Sequence, residues 1–130
     1  MRGHVVGAAV SLGLGLSLCA CSGSSSPGRP PQSARDIVRL LNASGVECNT
    51  QRATSGAPFA HDAWLCDMDG RGEIQAYFFT SSRKRDYWVQ DASDGSGRGD
   101  FVVGGSWVVA ASSDDLARQA QQAVGGRLRL

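Results

Sequence analysis

Glu73-Ile74-Gln75-Ala76-Tyr77-Phe78-Phe79-Thr80 is the stretch on which the fold turns. Ile74, Ala76 and Phe78 alternate to one side, and Tyr77 and Phe79 to the other. A period of two reads as a strand. Apolar side chains on both sides put that strand in the middle of a sheet, with a helix over one face. Just before it, Asp69-Gly70 is a hairpin turn signal, and Gly72 adds backbone freedom. Ala63 to Met68 then reads as the antiparallel partner strand.

Toward the C-terminus, Ser81-Ser82 caps a helix running through Gln90. Arg83, Lys84 and Arg85 fall in its first turn, where they oppose the helix dipole. Asp91 to Asp100 holds Gly95, Gly97 and Gly99 and reads as a loop. Phe101 to Val103 and Trp107 to Ala111 read as two strands joined around Gly104-Gly105-Ser106. Ser112 caps a last helix, with Asp114 and Asp115 favourable in its first turn. Leu116, Ala120 and Ala123-Val124 share a face of it, and Gly125-Gly126 ends it.

Toward the N-terminus, Ser33 with Asp36 three residues on is a capping pattern. Ala34, Ile37, Val38 and Leu41 repeat at helical spacing, so Ala34 to Ser44 is expected to be a helix. Gly45 is placed to end it in the left-handed conformation. Val46 to Thr50 reads as a short strand and Gln51 to Phe59 as a loop. The order is α-β-β-β-α-β-β-α. It predicts an α+β domain over residues 32–130: an antiparallel sheet with helices packed on one face. No internal repeat interrupts it.

The first thirty residues have a different character. Met1-Arg2-Gly3-His4 is a basic start. Val5 to Leu18 contains only Val, Gly, Ala, Ser and Leu, and is too short to span a bilayer. This is the pattern of a secretory signal over residues 1–20. Leu18-Cys19-Ala20-Cys21 resembles the lipobox of bacterial lipoproteins, with Cys19 an uncommon residue at its tolerant position. The resemblance implies cleavage before Cys21 and a diacylglyceryl group on the Cys21 thiol. Residues 21–31 are then a tether, because Ser22 to Pro31 has no large apolar side chain to bury.

The chain has 130 residues, 42% hydrophobic and 19% charged, which is the composition of one globular domain. Thirteen basic residues face twelve acidic ones, and loss of Arg2 with the signal leaves twelve of each. So even a balance argues against a nucleic-acid partner. It also leaves membrane attachment to a lipid at Cys21.

Cys48 and Cys66 remain once the lipobox is set aside. In an exported chain an even pair favours a disulfide. The rival reading is a copper-type metal site using Cys48, His61, Cys66 and Met68, whose sulfur and imidazole donors suit that ion. Their spacing matches no compact ligand motif, and core packing accounts for Cys66 and Met68, so no metal or other cofactor is expected.

No catalytic constellation is visible. His61-Asp62 are adjacent, which rarely lets an acid and base face each other. The glycines at 95–99 lack the Lys and the order of a phosphate loop. Asp91, Ser93, Asp94 and Asp100 depart from a calcium loop and have no closing Glu. Arg98-Gly99-Asp100 and Asn42-Ala43-Ser44 match short motifs that recur by chance. One cluster remains: Arg83, Arg85, Tyr87 and Trp88 combine cations with aromatic rings, as partner surfaces do. Packing of the aromatic side on the sheet, with the Arg residues in water, is the preferred explanation of them.

Leu41-Asn42-Ala43-Ser44-Gly45-Val46-Glu47-Cys48, Leu65-Cys66, Gly104-Gly105-Ser106-Trp107-Val108-Val109 and the Ala117 to Gly126 helix together resemble small exported lipoproteins of actinobacteria. The resemblance covers most of the mature chain. It implies a lipid-anchored protein on the extracytoplasmic face of the cell membrane, and no catalytic residues. The expected function is therefore a non-catalytic binding module, whose partner is an envelope protein or a small ligand.

Overall fold

β3 (Glu73–Phe78) lies inside the sheet, hydrogen-bonded on one side to β2 (Asp62–Asp67) and on the other to β5 (Trp107–Ala111). The computed structural model describes residues 29–54, 59–96 and 100–130. The signal, Cys21 and most of the expected tether lie outside the described residues. The β2–β3 hairpin closes where the sequence predicts, with Asp69 at φ 40° and Gly70 at φ 78°. Two consecutive left-handed residues give the turn a twist that matches the strands. The sheet continues through β1 (Thr50–Ala53) at one edge, and through β4 (Phe101–Val103) to β6 (Arg127–Arg129) at the other. Its order is β1-β2-β3-β5-β4-β6, antiparallel throughout.

The α+β class and the expected order of elements are both present. The helices, however, divide between the two faces. α1 (Ala34–Ala43) and α3 (Asp114–Val124) cover the face made by Cys66, Ile74, Ala76, Val102, Trp107 and Val109. α2 (Ser82–Ser96) covers the opposite face, where Val89 and Trp88 meet Ala63, Tyr77, Phe79, Phe101, Val103 and Val108. The reason is the same alternation that identifies the strands. Both faces of the central strands are apolar, and each buried Val or Phe side chain contributes about 1.5–3 kcal/mol. One helical layer would leave half of that in water.

Besides shifts of one or two residues at the ends of α1, β2 and β3, several boundaries differ from the sequence reading. Val46 is not a strand residue; it is buried as a loop residue, with its N–H bonded to the Leu41 carbonyl at 3.0 Å. Gly45 makes that reversal at φ 85°, as expected. β1 starts at Thr50 instead, where a polar run pairs along one side only. α2 continues to Ser96. Ser113, not Ser112, caps α3 by accepting the Leu116 N–H, while the Ser112 hydroxyl accepts the Glu73 N–H at 3.0 Å. β6 follows α3 unannounced, with Leu128 turned toward the face under α1 and α3.

Candidate interaction surface

The four residues predicted as a partner surface lie on one helix but point to different places. Trp88 faces inward. Its ring centroid lies 4.7 Å from Tyr77, 5.4 Å from Phe101 and 6.3 Å from Phe79. Arg85 turns to the β4–β5 connection, donating to the carbonyls of Gly104 and of Gly105, the latter at 2.7 Å. It also holds the Asp86 carboxylate at 2.6 and 2.9 Å. These two residues fasten α2 to the sheet. Burial raises the Tyr77 phenol above its usual range, and the charge of Glu73 adds to that.

Arg83 and Tyr87 remain outside. They are one turn apart on α2, so they share a face. Lys84 lies beside them. The side chains of Arg83 and Lys84 make no hydrogen bond or ion pair among the described residues. The Tyr87 ring is 59% exposed and lies 6.3 Å from that of Phe59, itself 58% exposed. Phe59 was not among the residues singled out from the sequence, where it reads as part of a loop. Its backbone is at φ 72°, a conformation that costs a residue with a β-carbon about 1–2 kcal/mol. An exposed Phe next to a Pro was the available signal.

This surface lies at the end of the domain where the described chain enters. The Ala34 N–H, first in α1, donates to the Asp62 carboxylate at 2.9 Å. The His61 N–H donates to the Phe78 carbonyl at 2.8 Å. The starts of α1, β2 and α2 therefore converge on one end of the sheet. The exposed carboxylates Asp67, Asp69 and Glu73 lie at the other end, around the β2–β3 hairpin.

At that far end a shallow open hollow is lined by Glu73, Gln75, Asp100, Phe101, Ala110 and Ser112. Gln75 donates to Glu73 at 2.9 Å, and the Tyr77 hydroxyl is bonded to Gln75. Desolvation raises the Asp100 carboxyl, and the hydrogen bond and charge of Asp114 raise it further. The polar groups here satisfy one another. Among the described residues no three His, Cys, Asp or Glu side chains are arranged to hold a metal ion.

Of the residues of the copper-type reading, the three sulfur-bearing ones share one region of the core and His61 does not join them. The Cys48 and Cys66 sulfurs are at disulfide distance, 1.93 Å. Met68 is fully buried in the core. His61 is exposed ahead of β2, five residues from Cys66, which in a strand is about 16 Å. Asp62, the expected partner of His61 in any acid–base pair, is engaged by Ala34 instead.

No protein-family model, curated protein or solved structure gives a significant match to the chain. Among the described residues no helix is long and apolar enough to cross a membrane.

Proposed function

We propose that the chain is a lipid-anchored binding module on the extracytoplasmic face of a membrane, working by contact and not by catalysis. The observation that carries the binding half is the exposed Phe59–Tyr87 pair beside two uncommitted cations. Large aromatic rings held in water beside free cations are the composition of a contact surface. The anchor half rests on Leu18-Cys19-Ala20-Cys21 and the small-residue run that follows it. Supporting the non-catalytic reading, Asp62 and Arg85 serve the fold, and Asp100 leans on another carboxylate.

The test is the intact mass of the protein extracted from membranes of its host. The expected mass begins at Cys21, carries a diacylglyceryl group with or without a further acyl chain, and is two hydrogens short for the Cys48–Cys66 bond. A Cys21→Ala variant should leave the membrane fraction. A native chain without lipid would overturn the anchored reading. Two free thiols would reopen metal chemistry at Cys48 and Cys66.

A further inference from the structure

We infer that the end of the domain bearing Phe59, Tyr87, Arg83 and Lys84 docks on the anionic headgroup surface of the bilayer that holds the chain. The inference rests on the anchored reading above and adds an orientation and a second point of contact.

Position is the first argument. Gln32 donates its N–H to Asp36, and Ala34 is fixed to Asp62, three residues from Phe59. Gln32 lies only eleven positions after Cys21. A chain of that length and composition reaches about 17–20 Å. A lipid on Cys21 therefore attaches the domain to the bilayer by this end and brings it to the headgroups more often than the hairpin end, which lies about one six-residue strand, roughly 20 Å, farther away.

Charge is the second. The net charge of the mature chain is zero, but it is divided. Among the described residues, Arg83 and Lys84 at the anchor end have no side-chain ion pair or hydrogen bond. Three carboxylates share that end, and each is engaged: Asp36 by Arg39 at 3.1 Å, Asp86 by Arg85 at 2.6 Å, Asp62 by the Ala34 N–H. The strand register places Asp67, Asp69, Glu73 and Asp100 at the opposite end, where α3 also begins with Asp114 and Asp115; among the described residues Arg71, Arg118 and Arg129 lie toward that end and are outnumbered by these carboxylates. An anionic surface attracts the first end and repels the second.

Chemistry is the third. Aromatic rings settle at headgroup depth, and cations meet lipid phosphates just outside it. Two rings and two cations are too few for a stable protein interface, which takes 20–30 residues a side. They suffice for a tethered contact. A short tether gives an effective concentration in the millimolar range, so an intrinsic affinity of about 1 mM already half-occupies the docked state.

The experiment uses the lipidated protein, its Cys21 modification verified by mass, in nanodiscs of phosphatidylcholine alone or with added phosphatidylglycerol. Amide hydrogen exchange is followed at residues 59–62 and 81–88. The Lys84 and Arg85 amides are bonded to Ser81, whereas those of Ser82 and Arg83 have no partner within the helix, so the latter two report cover most directly. Exchange there should slow on the anionic discs and not at the β2–β3 hairpin. R83Q/K84Q should lower the docked-to-undocked ratio by about twenty-five-fold, from about fivefold per cation. F59S/Y87S should also abolish the protection. Those four side chains are exposed, so thermal melts should match the parent. A lipidated chain exchanging equally on both discs would overturn the docking and leave the anchor standing. So would protection gained only when envelope proteins are added. A chain with no lipid would overturn both.

Discussion

The Ala34 backbone N–H donates to the Asp62 carboxylate at 2.9 Å, joining the first residue of α1 to the first residue of β2 across 28 positions of sequence. It is a helix cap delivered from a strand. Ser33 supplies the local cap, accepting the Asp36 N–H at 3.1 Å, so two of the orphan donors of α1 are satisfied by different segments. Asp62→Ala should lower the unfolding free energy by about 1–2 kcal/mol, and Asp62→Asn by less, because the amide keeps an acceptor without the charge. Urea unfolding at neutral pH measures both. An unchanged midpoint in the alanine variant would mean that water replaces the carboxylate at no cost.

The disulfide lies under α1, with Cys66 fully buried and Cys48 packed against the same cluster. Its loop encloses seventeen residues, for which chain-entropy arguments give about 3 kcal/mol. Reduction should therefore move the urea midpoint down by about 2 M for a domain of this size. The edge strand β1 should loosen first, since it lies inside the loop that the bond closes onto β2. A midpoint unaffected by reductant would place the stabilisation elsewhere.

Much of this architecture is written in residues whose signals are local. Ser33 and Asp36 mark a helix start, Asp69-Gly70 a hairpin, and alternation in residues 73–80 a strand with two apolar faces. What the sequence hides is decided by distant partners. Arg127-Leu128-Arg129 has one apolar residue between two cations, and becomes a strand only because β4 offers an unpaired edge. Thr50–Ala53 is polar and pairs with β2 on one side. Phe59 reads as loop until Tyr87 comes within 6.3 Å of it from another element. For the candidate surface, the cations and rings of α2 were legible as a group. Which of them face the sheet was not, because Arg85 and Trp88 turn inward for carbonyls and rings supplied by β3, β4 and the β4–β5 connection.

Gly104 is the tightest point of the β4–β5 connection. A Cβ there would fall 2.0 Å from the Trp107 indole, which is itself buried against the face under α1 and α3. The Gly104 N–H bonds to the Trp107 carbonyl at 2.9 Å, so neither partner moves freely. Gly104→Ala should cost about 1–3 kcal/mol by overpacking. Gly105→Ala next to it meets nothing within 4 Å and should be nearly neutral. Thermal melts of the two variants side by side check the contrast.

Asp100 gives the pH dependence a sign. Desolvation, the hydrogen bond that the protonated Asp100 donates to Asp114, and the Asp114 charge raise its carboxyl above the usual 3.8. The folded state then binds this proton more tightly than the unfolded state does. Stability from this group is present below the unfolded value and falls as pH rises through the raised one. Asp100→Asn should therefore stabilise the domain near neutral pH and lose that advantage in acid below the usual carboxylate range. Because the site is open to solvent, salt should reduce the difference. Urea midpoints of parent and variant across the acid range provide the check, and parallel curves would refute the coupling.

The two roles now assigned to α2 separate by substitution. Trp88 touches Tyr77, Phe79 and Phe101, so Trp88→Ala should remove about 3–5 kcal/mol of packing. Arg85 is largely covered and donates to two backbone carbonyls of the β4–β5 connection. Arg85→Ala strands those carbonyls and should cost about 1–3 kcal/mol. Arg83 and Tyr87 lie one turn apart and outward, so Arg83→Ala and Tyr87→Ala should change stability by less than about 0.5 kcal/mol. Any effect of those two on membrane or partner contact would then belong to the surface itself, because the helix beneath them is unaltered. If Arg83→Ala or Tyr87→Ala instead unfolded the domain, all four residues would be packing residues, and the exposed pair with Phe59 would lose its claim as a contact surface. Chemical denaturation of the four single variants, done before any binding measurement, decides which description of α2 stands.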